Sequence, residues 1–175
     1  MLTTAFRMKT PAAVRYPRGK GPGVPVERTL QSLEIGKSRT LLRAGSGAPR
    51  VAILAFGSMV WRLHDMACEI GATLIDMRFV KPMDCEAVLE AARTHDLLVT
   101  AEEGVIAGGA GSCVLELLAR EALCVPLLQV GIPDQFIDHG DVDVLFERCG
   151  MDPASVRKKI DAMLKKICVN GACSA

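Results

Sequence analysis

From residue 33 onward, short apolar runs alternate with stretches of helical periodicity, the pattern of strands separated by helices and therefore of a mainly parallel sheet. Strands are predicted over residues 35–42, 51–56, 72–77, 97–101 and 125–130. All but the first are nearly continuous apolar runs, as strands covered on both faces are. Between them, Met59, Val60, Leu63, Met66, Ala67 and Ile70 recur at helical intervals and predict a helix over 59–70 with one face on the sheet. Asp84 can cap a helix carrying Val88, Leu89 and Ala92, and Asp152-Pro153 supplies a cap and a pre-set first residue for the last helix. Val114, Leu115, Leu117, Leu118 and Leu123 make a further helix apolar on more than one side, to be deeply buried or covered by another chain.

The first 32 residues break this pattern. Residues 1–18 offer about one helical turn and a strand, A-A-V-R-Y-P-R, that carries guanidinium groups at Arg15 and Arg18. Residues 19–32 are rich in Gly and Pro without periodicity, which marks a linker. So short an opening cannot bury a core, and the simplest surface for it is a domain outside this chain.

With 175 residues, half of them apolar, the rest of the chain can bury a core. The longest apolar run, residues 51–56, falls far short of the roughly 18 residues a membrane-spanning helix needs. The first ten residues lack the features of a signal peptide, so the expected location is cytoplasmic. Lys and Arg number 21 against 20 Asp and Glu, a balance that recruits neither nucleic acid nor anionic lipid. The basic run Arg157, Lys158, Lys159, Lys165, Lys166 accompanies the apolar stripe Val156, Ile160, Met163, Leu164, Ile167 and is read as a solvated helix face. Seven cysteines without C-x-x-C spacing, mostly inside apolar periodic segments, are expected to be buried thiols; Cys168 and Cys173 are the one loosely plausible pair.

Candidate chemistry gathers where the fourth and fifth strands end. Gly108, Gly109 and Gly111, followed by Ser112, lead into a helix and could present backbone N–H groups to an anion, or could serve a tight turn and close packing. The loop matches neither the dinucleotide fingerprint, which wants glycine where Val114 stands, nor the P-loop. Glu102 and Glu103 lie at the ligand-binding end of a parallel sheet, but adjacent strand residues point to opposite faces and cannot act together on one atom. The loop from Gly131 to Gly140, with Asp134, Asp138 and His139, either shapes a binding loop or turns into a short helix at Asp141. His64, His95 and His139 have no Ser or Cys partner in a recognisable motif, and no metal-ligand spacing occurs.

Taken in order, A-V-R-Y-P-R-G, I-G-K, A-F-G-S, D-M-R-F-V-K-P-M-D, V-T-A-E-E-G-x-x-x-G-G-A-G-S and G-I-P-D-Q-F-I-D-H-G resemble the C-terminal third of the 1-deoxy-D-xylulose-5-phosphate synthases, within the transketolase-like, thiamine-diphosphate-dependent family. The resemblance covers residues 1 to about 166, leaving the last nine outside it. It implies a three-layer α/β transketolase C-terminal-like domain over 33–167 with a mainly parallel five-stranded sheet. Residues 1–18 would be the last strand of a missing pyrimidine-binding domain, 19–32 a linker and 168–175 a tail, with Met1 corresponding to an internal methionine.

It also implies a homodimeric parent that condenses pyruvate with glyceraldehyde 3-phosphate, losing carbon dioxide, to supply isoprenoid, thiamine and pyridoxal synthesis. The family's thiamine diphosphate and Mg2+ sit between its first two domains. Their Gly-Asp-Gly and Asn motif and the activating glutamate are absent here. No cofactor, no metal and no catalytic residue is therefore expected in this chain. By position Arg18 matches the arginine that binds substrate phosphate, with Arg15 the lesser candidate because it stands three residues away; for Arg15 a structural ion pair within the second domain is favoured. In the family the third domain serves subunit packing, which suits the loop Gly108, Gly109, Gly111, Ser112, with Glu103 beside it. Partners would be the remaining domains of the same enzyme and small-molecule substrates. Two rivals remain: a free-standing assembly module of a split transketolase-like or keto-acid dehydrogenase β-type enzyme, and an independent nucleotide-binding protein using the glycine loop.

Overall fold

In the computed structural model, the described residues are 1–17, 21, 23, 29–45, 47 and 49–169. Five strands, β1 (Arg39–Leu42), β2 (Val51–Ala55), β3 (Thr73–Asp76), β4 (Leu97–Val105) and β5 (Leu127–Ile132), form one sheet in the order β1-β3-β2-β4-β5. Neighbours are parallel except β1, which runs antiparallel on β3. The helices are α1 (Leu2–Arg7), α2 (Met59–Glu69), α3 (Cys85–Thr94), α4 (Ala110–Arg120), α5 (Val142–Arg148) and α6 (Pro153–Val169).

The strand period of two divides the core into two layers. Val51, Ile53 and Ala55 of β2, with Leu97, Val99 and Ala101 of β4, face α2 and α6 through Met59, Leu63, Val156 and Ile160. Ala52, Leu54 and Leu98 face α3 and α4 through Val88, Ala91, Val114 and Leu117. A strand that feeds both layers must be apolar at every position, which is why β2 reads as an unbroken run.

Both predicted caps form. Asp84 accepts from Ala87 N at 3.2 Å, and also from Ser38 N and Oγ at 2.8 and 2.9 Å, tying the approach to β1 onto α3. Asp152 accepts from Ser155 N at 3.0 Å. Of the two options for Asp141 the helix forms, its carboxylate accepting from Asp143 N at 3.0 Å. On α6, Val156, Ile160 and Ile167 are buried while Arg157 pairs with Glu69 at 3.4 Å on the surface. Among the described residues no helix is long and apolar enough to cross a membrane.

Several expectations are corrected. β1 starts at Arg39 rather than residue 35, because Ile35 and Gly36 form a turn with Gly36 at φ +74°. β5 starts at Leu127, after Pro126, whose carbonyl receives Leu98 N but whose nitrogen has no proton for a ladder. β4 runs four residues past Ala101. Residues 12–17 form no strand; an extended segment becomes one only beside a partner, and they have none. At the start of the chain Thr4 is buried and its Oγ1 accepts from Leu33 N at 2.8 Å. The cysteines differ most. Cys68, Cys85, Cys124 and Cys168 are exposed, and Cys113 and Cys149 half-buried. Cys68 follows buried Ala67 on α2, so an apolar neighbourhood in sequence is there the solvent side of an amphipathic helix. Cys173 lies outside the described residues. On α4, Val114, Leu117 and Leu118 are buried and Leu115 is exposed.

Candidate functional site at the carboxyl end of the sheet

The end of β4 is irregular. Ala101 pairs with Val130 and Val105 with Ile132, so Glu102, Glu103 and Gly104 stand opposite Gly131 alone. Such a bulge bends a strand and re-aims its side chains.

Glu102 turns to the α4 side and is buried. Its carboxylate accepts Ala110 N and Gly111 N, both at 2.8 Å. These are orphan donors of the first turn of α4, where negative charge is favoured. The glycines make room for it: a Cβ on Gly104 or Gly109 would stand 2.6 Å from a Glu102 oxygen, and one on Gly131 2.9 Å from Gly104 O. Gly111 packs as closely elsewhere, its Cβ position lying 2.6 Å from Thr100 Oγ1. Ser112 Oγ closes the loop, accepting from Gly108 N and donating to Ile106 O, each at 3.0 Å. Gly108 takes φ +74°, the left-handed conformation that glycine adopts without strain.

Glu103 turns to the opposite face and accepts from the hydroxyl of Ser58, the residue that precedes α2. The two carboxylates thus serve different helices, as their adjacency on a strand requires. Glu103 also forms the wall between two hollows. An open cleft of about 500 Å³ runs between Arg15, Glu103, Val105 and the turn from Pro133 to Phe136. A smaller, largely apolar hollow of about 320 Å³ holds Ile132, Val142, Leu145 and Phe146, with Glu103, Asp138 and His139 around it. Arg62 covers the Phe146 ring at 3.8 Å from its centroid and pairs with Asp143 at 2.8 Å.

Arg15 reaches this end of the sheet, its guanidinium donating to Glu103 O at 3.1 Å. That is a side-chain to backbone contact within this chain. Arg18, the first candidate for phosphate, lies outside the described residues. Of the remaining candidates, Glu103 and the loop Gly108, Gly109, Gly111, Ser112 adjoin through β4. The residue that organises them, Glu102, is legible from the sequence only as a candidate for acid–base chemistry; the signal for its structural role is a glutamate eight positions before a helix that is entered through glycines.

Elsewhere at this end, burial pushes the Asp76 carboxyl up, opposed by Arg78, whose Nε stands 3.4 Å away. His64 pairs with Asp65 on the surface, and His95 lies in a hydrogen-bonded cluster with Thr73 and Ala91 far from His139 in the chain. Among the described residues no three His, Cys, Asp or Glu side chains are grouped to hold a metal ion. The glycine-rich terminus of α4 already binds a carboxylate of its own chain. These residues do not fit a thiamine diphosphate–magnesium site.

The geometry is accompanied by specific likeness. The chain is 52% identical over 166 residues to a 1-deoxy-D-xylulose-5-phosphate synthase of Ralstonia pickettii (strain 12J), an alignment covering 91% of this chain and 26% of that protein. The corresponding synthase of Nitrosococcus oceani is 49% identical over 160 residues, covering 91% and 24%. The chain therefore spans about a quarter of the length of the curated relatives it matches. A solved structure described as a split gene transketolase, inactive β4 tetramer, superposes with a TM-score of 0.66 at 28% identity, over 86% of this chain and 46% of that one. Residues 42–156, from the last residue of β1 into α6, match the model of the transketolase C-terminal domain, and the chain belongs to that family.

Proposed function

We propose that this chain is the C-terminal portion of a 1-deoxy-D-xylulose-5-phosphate synthase and, taken alone, is an inactive packing domain. The carrying observation is the 52% identity over 91% of the chain to the Ralstonia pickettii synthase. In this reading the parent enzyme, a cytoplasmic homodimer using thiamine diphosphate and magnesium, joins pyruvate to glyceraldehyde 3-phosphate with loss of carbon dioxide. Residues 1–18 would complete the preceding domain, with Arg18 at the substrate phosphate and Arg15 beside it. A guanidinium suits that task, offering paired donors in the plane of two phosphate oxygens.

The site supports inactivity of the chain by itself. Glu102 is committed to α4 and Glu103 to Ser58, so neither carboxylate is placed as a proton-transfer group. A second reading, a free-standing module that assembles with separately encoded domains, is favoured by the likeness to a split gene transketolase, whose structure is described as an inactive β4 tetramer. Both readings share a role in subunit packing.

Assay of the purified chain with pyruvate, glyceraldehyde 3-phosphate, thiamine diphosphate and magnesium should give no product above background. Turnover by the chain alone would overturn the inactive reading.

A further inference from the structure

The register of β1 on β3 ends at Leu42, opposite Leu74. Two residues further on the chain is still tied to β3, but by a side chain: Ala44 N donates to Thr73 Oγ1 at 2.9 Å. Ala44 is half-buried between exposed Arg43 and Gly45. Thr73 is buried, and the same oxygen lies 2.8 Å from His95 Nε2.

The neighbours of His95 decide where its hydrogen sits. Nδ1 lies 3.0 Å from Ala91 O, which can only accept. It also lies 2.9 Å from Thr94 Oγ1, whose own hydrogen is directed to Glu90 O at 2.7 Å, so that this oxygen too is left to accept. Both neighbours require a hydrogen on Nδ1. In the neutral ring Nε2 is then bare and accepts the Thr73 hydroxyl hydrogen. A relay results: Ala44 N–H to Thr73 Oγ1, Thr73 O–H to His95 Nε2, and His95 Nδ1–H to Ala91 O.

A second proton on the ring goes to Nε2 and reverses one link. Nε2–H must then donate to an oxygen that already accepts from Ala44, and the Thr73 hydrogen is turned away from the ring inside a buried site. A buried donor without an acceptor is costly. Opening at Ala44, beside the exposed residues, admits water that can accept that hydrogen. The charges around the ring are mixed. Burial pushes the His95 pKa down and the Arg50 guanidinium acts the same way, while the Ala91 bond and the carboxylates of Asp96 and Glu90 act against them. Arg50 is itself paired with Asp96 at 3.6 Å. The net direction keeps the ring neutral, and the relay intact, at neutral pH.

We propose that His95 is a proton-operated latch on the end of β1: the neutral ring fixes the chain at Ala44 through Thr73, and the doubly protonated ring releases it. The test is nuclear magnetic resonance of the full chain from about pH 8 to about pH 5, the range in which histidines titrate. It follows the His95 ring nitrogens and the exchange protection of the Ala44 amide, corrected for the intrinsic rate at each pH. The expected result is a hydrogen on Nδ1 in the neutral ring, and Ala44 protection that falls about fivefold with the same midpoint as the ring, which is what one ordinary hydrogen bond contributes. The amides of β2 and β4 should stay far better protected than Ala44 throughout, as a local release requires. His95→Gln, whose amide oxygen can accept the Thr73 hydrogen at every pH, should show no such fall.

Three results on the wild type would each overturn the latch: a hydrogen on Nε2 in the neutral ring, Ala44 protection that stays constant while the ring titrates, or Ala44 exchanging at one rate with β2 and β4. The same fall in His95→Gln would also overturn it. Should that variant fail to fold, the wild-type measurements still decide.

Discussion

Glu102 is the residue on which the site depends, because one buried carboxylate satisfies two N–H groups that have no other partner. Glu102→Gln keeps the shape but turns an amide donor toward donors, and should lower stability by about 1–3 kcal/mol in urea unfolding, the usual cost of a buried unsatisfied group. Glu102→Ala should cost at least as much, and millimolar formate should restore part of the loss, since a ligand that binds only the folded state stabilises it. No recovery with formate would mean that the terminus of α4 does not need an anion. His95 makes a pH-dependent contribution of its own. Burial pushes its pKa down, partly offset by the bond to Ala91 O, with its two ring nitrogens near Ala91 O at 3.0 Å and Thr73 Oγ1 at 2.8 Å. The folded state therefore binds its proton less readily than the unfolded state, whose His titrates near about 6.5. Stability from this group should be complete above that pH and decline as pH falls below it, and His95→Gln should flatten that part of the profile.

At the scale of elements, Asp84 joins β1 to α3 through three accepted hydrogen bonds. Asp84→Ala should cost about 1–2 kcal/mol as a lost cap, and more to the extent that the Ser38 bonds go with it. Burial acts to raise the Asp84 pKa, but the bonds from Ser38 and Ala87 outweigh it and hold the carboxyl below its ordinary value. Its stabilisation is thus present above the unfolded carboxyl range, near about pH 3.9, and is lost as pH falls through the lower folded value. Such elements were legible in the sequence because their causes are local: a cap beside its helix, or an apolar run covered on both faces. The opposite orientations of Glu102 and Glu103 were legible for the same reason, by counting along a strand. What Glu102 holds was not, since the turn through Gly108 brings back donors eight and nine residues ahead. The exposure of Cys68 and Cys85 and the absence of a strand over residues 12–17 depend on which surfaces are covered by neighbours, which periodicity along one chain does not contain.

Across the described residues, the two apolar layers bind one sheet to α2, α3, α4 and α6, with Phe146 of α5 at the edge of the first layer, and cohesion is concentrated in β2 and β4. The N-terminal arm is attached differently. Among the described residues its ties include buried Thr4, the exposed bonds of Arg7 to Leu30 O and Ser32 Oγ, both at 3.1 Å, and the bond of Arg15 to Glu103 O. Solvent-exposed bonds of this kind open without disturbing a core, so the arm should behave as a separate unit of low local stability. In amide exchange, residues 2–17 should lose protection well before β2 and β4, and limited proteolysis should trim the arm while leaving the three-layer body intact. Arm and core exchanging at one rate would show instead that they open together. If they separate, the arm is a tether that can let go of one surface and take another at little cost to the fold that carries it.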